Sequence, residues 1–142
     1  MTSWLNIKKL SSSAIIPTRA NSSDAGLDLY SDESVTLLPN SSTLVNTGIA
    51  MAIPEGFAGL IWDRSGMAVK NGVHRFAGVI DSGYRGPIKI CLYNFSTSVV
   101  HIKRGHRIAQ ILIQSVPEFV IQEVDDLGST ERGDDGFGST GE

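Results

Sequence analysis

Apolar and polar positions alternate along much of the chain with the period of a strand. Val45, Thr47, Ile49, Met51 and Ile53 form one bulky row, with Leu44, Asn46, Gly48, Ala50 and Ala52 between them, which predicts an extended strand with one buried face. Phe57–Trp62, bounded by Pro54 and Gly56, is a second run, and Ile88, Ile90 and Leu92 set a third face. Thr97–Ile102 and Arg107–Ile113 follow after turn signals, and Phe119–Val124, entered through Pro117, predicts a last strand. The one helix candidate is short, Ser65–Lys70, stopped by Asn71-Gly72. Short strands parted by Gly, Pro, Asn and Ser predict an all-β sandwich or barrel.

Composition narrows the picture. The chain has 142 residues, 41% apolar and 19% charged, which suits one domain around one core. Its net charge of −3 is unevenly spread: residues 125–142 hold six acids against Arg132 alone, leaving 11 bases and 9 acids before them. That tail also carries five glycines, with only Leu127 and Phe137 to bury. Such burial does not offset the entropy of ordering, so 125–142 reads as a mobile arm on a domain spanning 1–124. The charge balance excludes a broad cationic face for duplex DNA, so no nucleic-acid partner is expected. A few placed Arg and Lys can still recognise one small anion. Cys91 is the only cysteine, which excludes an intrachain disulfide and a CxxC zinc site. No apolar run approaches the roughly 18 residues of a membrane span, and Met1–Ala20 holds a serine cluster where a signal core would lie. No membrane partner is expected, and an intracellular, reducing setting is.

Five segments offer chemistry. In Asp24–Tyr30, Asp28 sits between Leu27 and Leu29 and faces away from them, where a solvated outer-face carboxylate is the ordinary expectation. Asp63-Arg64-Ser65-Gly66 leads from an apolar strand into the short helix; free N–H groups there, with Arg64 and Ser65, suit a phosphate. On these residues alone, a helix cap by Asp63 or Ser65 is the expected role. Ala77–Gly86 contains Asp81-Ser82-Gly83, which predicts a turn between strands at Ala77–Ile80 and Ile88–Leu92. Glycines at 78, 83 and 86 permit close approach to main chain, and Tyr84 offers a flat face; a plain turn and a ligand site are equally compatible. Gln110 interrupts an apolar strand, and a buried amide needs partners, either backbone or ligand. Arg132–Gly141 is not a P-loop, since it lacks the Gly-Lys-Ser/Thr ending. An arginine, a glycine-framed Phe137 and two hydroxyls instead suit a lid, set against the usual fate of such tails, which is to be idle. His74, His101 and His106 have no metal-ligand spacing, and a hard ion arriving with phosphates needs none.

In order and spacing, AGLDLYS (25–31), RSGMAVK (64–70), AGVIDSGYRG (77–86), RIAQILI (107–113) and RGDDGFGSTG (132–141) closely resemble the five motifs of the trimeric deoxyuridine triphosphatases (dUTPases). The resemblance implies a jelly-roll-like (β-clip) all-β subunit with one short helix, assembled as a homotrimer whose sites lie between subunits. It implies hydrolysis of dUTP to dUMP and pyrophosphate, which limits uracil in DNA and supplies dUMP for dTMP synthesis. By the same resemblance, Asp81 activates the water that attacks the α-phosphorus. Tyr84 packs under deoxyribose, and the main chain of Gly78, Val79 and Ile80, with the strand near Lys89, reads uracil. Arg64, Ser65, Gly66 and Gln110 bind phosphates, and Arg132, Phe137, Gly138, Ser139 and Thr140 close over the nucleotide. Asp28 acts through water on a Mg²⁺ held mainly by the triphosphate.

Some positions depart from the family pattern. Gly83 and His106 stand where Asp is common, Asp63 where Pro is frequent, and Asp135, beside Asp134, where the arm usually has glycine. Two carboxylates near a triphosphate repel it unless they point outward. The related dCTP deaminases share the fold, but they need a glutamate beyond the Asp-Ser-Gly turn, where this chain reads Pro87-Ile-Lys-Ile-Cys91. A dUTPase fold serving as a nucleotide-sensing regulator would keep all five motifs, so sequence leaves it open.

Overall fold

The regular structure is almost wholly antiparallel strand, seen in a computed structural model that describes residues 4–141. Met1–Ser3 and Glu142, the outer ends of the two segments delimited above, lie outside the described residues. The strands are β1 (Asn6–Lys9), β2 (Leu27–Tyr30), β3 (Val35–Leu37), β4 (Ser41–Asn46), β5 (Ile49–Ala52) and β6 (Phe57–Trp62). After helix α1 (Ser65–Asn71) come β7 (Val73–Phe76), β8 (Val79–Ile80), β9 (Lys89–Asn94), β10 (Val100–Ile102) and β11 (Arg107–Ser115). They form a four-stranded sheet in the order β2-β11-β6-β8, a three-stranded sheet β4-β9-β7, and the two pairs β1-β5 and β10-β3. This is a jelly-roll-like all-β subunit.

The bulky row read at 45–53 does point inward: Val45, Thr47, Ile49, Met51 and Ile53 are all buried, while Leu44 is exposed. It is two strands, however. Gly48 takes a φ of 69°, a left-handed turn that sends β4 and β5 to different partners. One core then joins the sheets, with Leu29, Ile61 and Ile111 from the four-stranded sheet and Val45, Val73, Ile90 and Leu92 from the three-stranded one. Each such side chain contributes about 1.5–3 kcal/mol by leaving water. The buried Asn94 is satisfied: its amide donates to the carbonyls of Leu37 (3.0 Å) and Ser98 (2.7 Å).

Three expectations need correction. Phe119–Val124 forms no strand; β11 ends at Ser115, and 117–124 run exposed. A run of β-prone residues makes a strand only beside a partner edge, and Pro117 has no N–H to give one. The strands flanking the Asp81 turn are shifted from the expected Ala77–Ile80 and Ile88–Leu92: β8 is Val79–Ile80 and joins β6, while β9 is Lys89–Asn94 and lies between β4 and β7. The run at Thr97–Ile102 is regular only from Val100. The helix extends to Asn71, and Gly72, at φ 64°, closes it by donating to the carbonyls of Ala68 and Met67. Among the described residues no helix is long and apolar enough to cross a membrane.

Candidate active site

Residues far apart in sequence meet first where β2, β11 and the turn from β6 to α1 converge. β2 pairs with β11 so that Asp28 lies opposite Gln110, and β11 pairs with β6 so that Gln110 lies opposite Trp62. A register shift between Arg107 and Ala109 lets Arg107 turn back toward the same spot. The result is a cavity of about 350 Å³ lined by Asp28, Arg64, Ser65, Gly66, Arg107 and Gln110, with Asp24 to Gly26 at its rim.

Asp28 is not the solvated carboxylate expected from its position. Its side chain is only 14% exposed, because the β6–α1 turn lies over it, and Oδ1 sits 3.1 Å from Arg64 Nε. Its Oδ2 accepts from Arg107 Nη1 at 3.4 Å. One carboxylate between two guanidiniums leaves the cluster with a net positive charge and donors to spare, which suits an anion. Gln110, half-buried, donates from Nε2 to the Asp63 carbonyl (2.9 Å), a backbone partner for its amide. Gly26 is a glycine because a Cβ there would strike the Gln110 amide oxygen.

The helix-cap role expected for Asp63 or Ser65 is also overturned. Arg64 occupies the cap position with extended backbone and no side-chain cap is made. Asp63 turns away to β7, where Oδ1 accepts the Arg75 N–H (2.7 Å) and Oδ2 meets His74 Nδ1 (2.9 Å). The first N–H groups of α1, at Ser65 and Gly66, are thereby left without a side-chain cap beside Arg64.

A second cavity, about 260 Å³, is lined by Val79, Ile80, Asp81, Tyr84, Pro87 and Lys89. The expected turn is present, with the Tyr84 N–H donating to the Asp81 carbonyl (3.1 Å). Tyr84 Oη donates to the Pro87 carbonyl (2.9 Å), and its ring covers Gly86 so closely that no Cβ would fit there. Gly78, at φ 116°, accepts the Ile61 N–H on its carbonyl (2.7 Å) and lies where a Cβ would press on Ile61. β8 is the outer strand of its sheet, so one side of the Val79–Ile80 backbone has no strand partner among the described residues. Asp81 and Tyr84 are exposed at the mouth.

The third group stands apart. Arg132, Phe137, Gly138 and Thr140 line a hollow formed by the arm itself, and the arm makes only local bonds: Arg132 Nε donates to the Asp135 carbonyl (2.9 Å), and Ser139 N–H to that of Gly136 (2.9 Å). Phe137 is fully exposed, at φ 50°.

The structure thus brings the predicted residues together in three groups, not one: Asp28, Arg64, Ser65, Gly66 and Gln110; Val79, Ile80, Asp81, Tyr84 and Lys89, with Gly78 alongside; and the arm. Sequence reasoning missed Arg107 as a partner of Asp28, and Asp63 and Arg75 as a link to β7. Arg75 also lies over the Trp62 ring, 4.9 Å from its centroid. No local signal marks these, since each depends on which strands pair. Among the described residues no group of three or more His, Cys, Asp and Glu could hold a metal. Asp28, with Asp24 at the rim, suits only an ion that brings most of its oxygen ligands with it.

The chain is similar to known proteins over nearly its whole length. The family model described as dUTPase matches residues 12–141. A deoxyuridine 5'-triphosphate nucleotidohydrolase of Corynebacterium diphtheriae is 48% identical over 98% of this chain and 93% of its own. One from Yarrowia lipolytica is 46% identical over 96% of this chain and 88% of its own. The solved dUTPase of Staphylococcus bacteriophage 80alpha with dUPNHPP superposes with a TM-score of 0.89 at 32% identity, covering 99% of both chains. A variant of the dUTPase from S. aureus phage phi11, described with a structural Mg(II) ion, gives a TM-score of 0.83 at 27% identity over 88% of this chain and 99% of that one. With its five motif segments in order on a matching jelly-roll subunit, the chain belongs to the dUTPase family.

Proposed function

We propose that this protein is a dUTP diphosphatase that hydrolyses dUTP to dUMP and pyrophosphate by attack of water on the α-phosphorus. The observation that carries the reading is the cavity where Asp28, Arg64, Ser65, Gly66 and Gln110 converge from three elements, in a chain of this family. Arg64, the Ser65 and Gly66 amides and Gln110 bind the triphosphate. Asp81 orients the water and takes its proton. The free side of β8 at Val79 and Ile80, with Gly78 and the start of β9 at Lys89, reads uracil through main-chain bonds. Cytosine, with reversed donors and acceptors, is rejected by up to about 10⁴–10⁵ in sites of this kind. Tyr84 packs under deoxyribose, where a 2′-hydroxyl has no room. Mg²⁺ bound to the triphosphate would offset charge on the departing pyrophosphate, with Asp28 holding it through water.

Three groups of site residues on one protomer fit a homotrimer in which each site is completed by neighbours. The uracil and phosphate cavities come from different copies, and Arg132, Phe137, Gly138, Ser139 and Thr140 of an arm close over both. Surfaces for such contacts are present: Phe76, Phe95 and Leu44 share the outer face of the β4-β9-β7 sheet, and Phe119, Val120 and Ile121 are exposed. A nucleotide-pool enzyme of this kind works inside the cell.

Pyrophosphate release from dUTP, dTTP, dCTP and UTP, measured with Mg²⁺ beside Asp81→Asn protein, tests the reading. Release from dUTP alone, with the variant down by about 10²–10⁴-fold, is expected. Release from dCTP, or an active Asp81→Asn enzyme, would refute it.

A further inference from the structure

We propose that Asp63 is a positioning residue for the phosphate-binding cavity, held by a clamp on β7; the inference rests on the reading of that cavity as the triphosphate site. One residue here bonds to two elements and aims two groups. Its carboxylate accepts the Arg75 N–H at 2.7 Å and meets His74 Nδ1 at 2.9 Å, both on β7. Its carbonyl accepts Gln110 Nε2 of β11 at 2.9 Å. The next residue, Arg64, reaches Asp28 of β2 at 3.1 Å.

The peptide that directs both Arg64 and Gln110 is therefore tied through one side chain to a strand outside the cavity. That strand is a firm anchor. Val73 is buried, the four residues of β7 pair with β9, and the His74 ring is braced edge-on against Phe95 at 5.5 Å. Among the described residues α1 has no side-chain cap and none of its residues is fully buried, with Met67 only partly packed on the core, so the Asp63 carboxylate is the side-chain tie from this turn to β7. With its amide nitrogen committed to the Asp63 carbonyl, Gln110 presents its oxygen toward Gly26 at the cavity wall. Loss of the clamp frees the turn, so Arg64 and Gln110 lose their fixed aim while the uracil cavity, which contains none of these residues, is untouched.

The test compares full-length wild type with Asp63→Ala, Asp63→Asn and His74→Ala. It measures KM and kcat for dUTP, and binding of dUpNHpp and dUMP by calorimetry. Asp63→Ala is expected to weaken dUpNHpp and raise KM about tenfold, with dUMP changed by about twofold at most. Asp63→Asn, which keeps an acceptor for the Arg75 N–H, recovers most of the loss. His74→Ala, removing half the clamp, costs about threefold and serves in place of Asp63→Ala should that variant not fold. An unchanged KM and dUpNHpp affinity overturns the proposal, as does equal weakening of dUMP and dUpNHpp, which marks general loosening. The Gln110 side-chain amide, followed by NMR without nucleotide, separates this from the functional reading. Faster exchange of its protons in Asp63→Ala sustains the clamp even if dUTP is not hydrolysed, and unchanged exchange refutes it.

Discussion

The cavity around Asp28 and the arm around Arg132 are both arginine-bearing, glycine-rich segments assigned to phosphate, and they are built in opposite ways. In the cavity, Arg64 and Arg107 already face one carboxylate, and the turn that carries Arg64 is bonded to β7 and β11. In the arm, among the described residues, Arg132 bonds only the carbonyl of Asp135 and Phe137 is fully exposed. The first is organised before substrate arrives, its ordering cost met during folding by the core beneath it. Closing the second over nucleotide, as proposed above, would cost part of its binding energy in ordering. A site divided this way gains a rigid surface for recognising phosphates and a closing segment able to let product out.

Removing the arm should separate the two regions most sharply. A chain ending at Val124 is expected to lose roughly 10²-fold or more in kcat/KM for dUTP, while its melting temperature changes by no more than about 2 °C. Wild-type turnover by that chain would make the arm idle. Asp28→Ala strikes the organised side instead. It leaves the half-buried Arg64 and the exposed Arg107 facing each other without their shared carboxylate and should cost about 1 kcal/mol, or roughly 3 °C in melting temperature, with a raised Mg²⁺ requirement. A variant as stable as wild type would show that the ion pairs are not what organises the cavity.

Asp135→Gly sharpens the arm side. A carboxylate about 8 Å from phosphate in water is worth about 0.5 kcal/mol, so KM should fall roughly twofold. Titration of KM against dUTP gives the answer, and no change would mean that Asp135 points outward on closure. The smallest effect belongs to Asp32, an organised carboxylate outside the site. The hydroxyls of Ser11 and Ser13 hold its pKa below the ordinary carboxylate value, helped by Arg104 and Lys9. A pKa lowered on folding contributes stability above the unfolded-state value, about 3.9, and loses it as pH falls through the folded-state value. Asp32→Asn should therefore flatten the acid side of the melting curve below about pH 4 and leave dUTP turnover unchanged. A lowered turnover would join this knot to the active site.

What was legible beforehand was local. The stop of α1 at Gly72, the Asp81–Tyr84 turn, and the inward row from Val45 to Ile53 depend on neighbours in sequence, and the structure has them all. The five motif segments, each a short run of specific residues, carried the family and its activity for the same reason. Where reading failed, the missing fact was always a partner. Asp63 was expected to cap the helix that follows it, but β7 offered a backbone N–H and an imidazole that no pattern places beside it. Asp28 was expected in solvent, but pairing of β2 with β11 put it under two arginines. Phe119–Val124 has the composition of a strand and pairs with no strand among the described residues.

The sequence by itself determined that this is an all-β subunit with one short helix, a glycine-rich arm and dUTPase chemistry, because side-chain period, turn residues and motif spacing are encoded within a few positions. Only the tertiary structure decided which strands meet, which carboxylates are paired, and that the predicted site falls into three groups. Sheet hydrogen bonds join residues tens of positions apart, and their register is set by packing of the whole core.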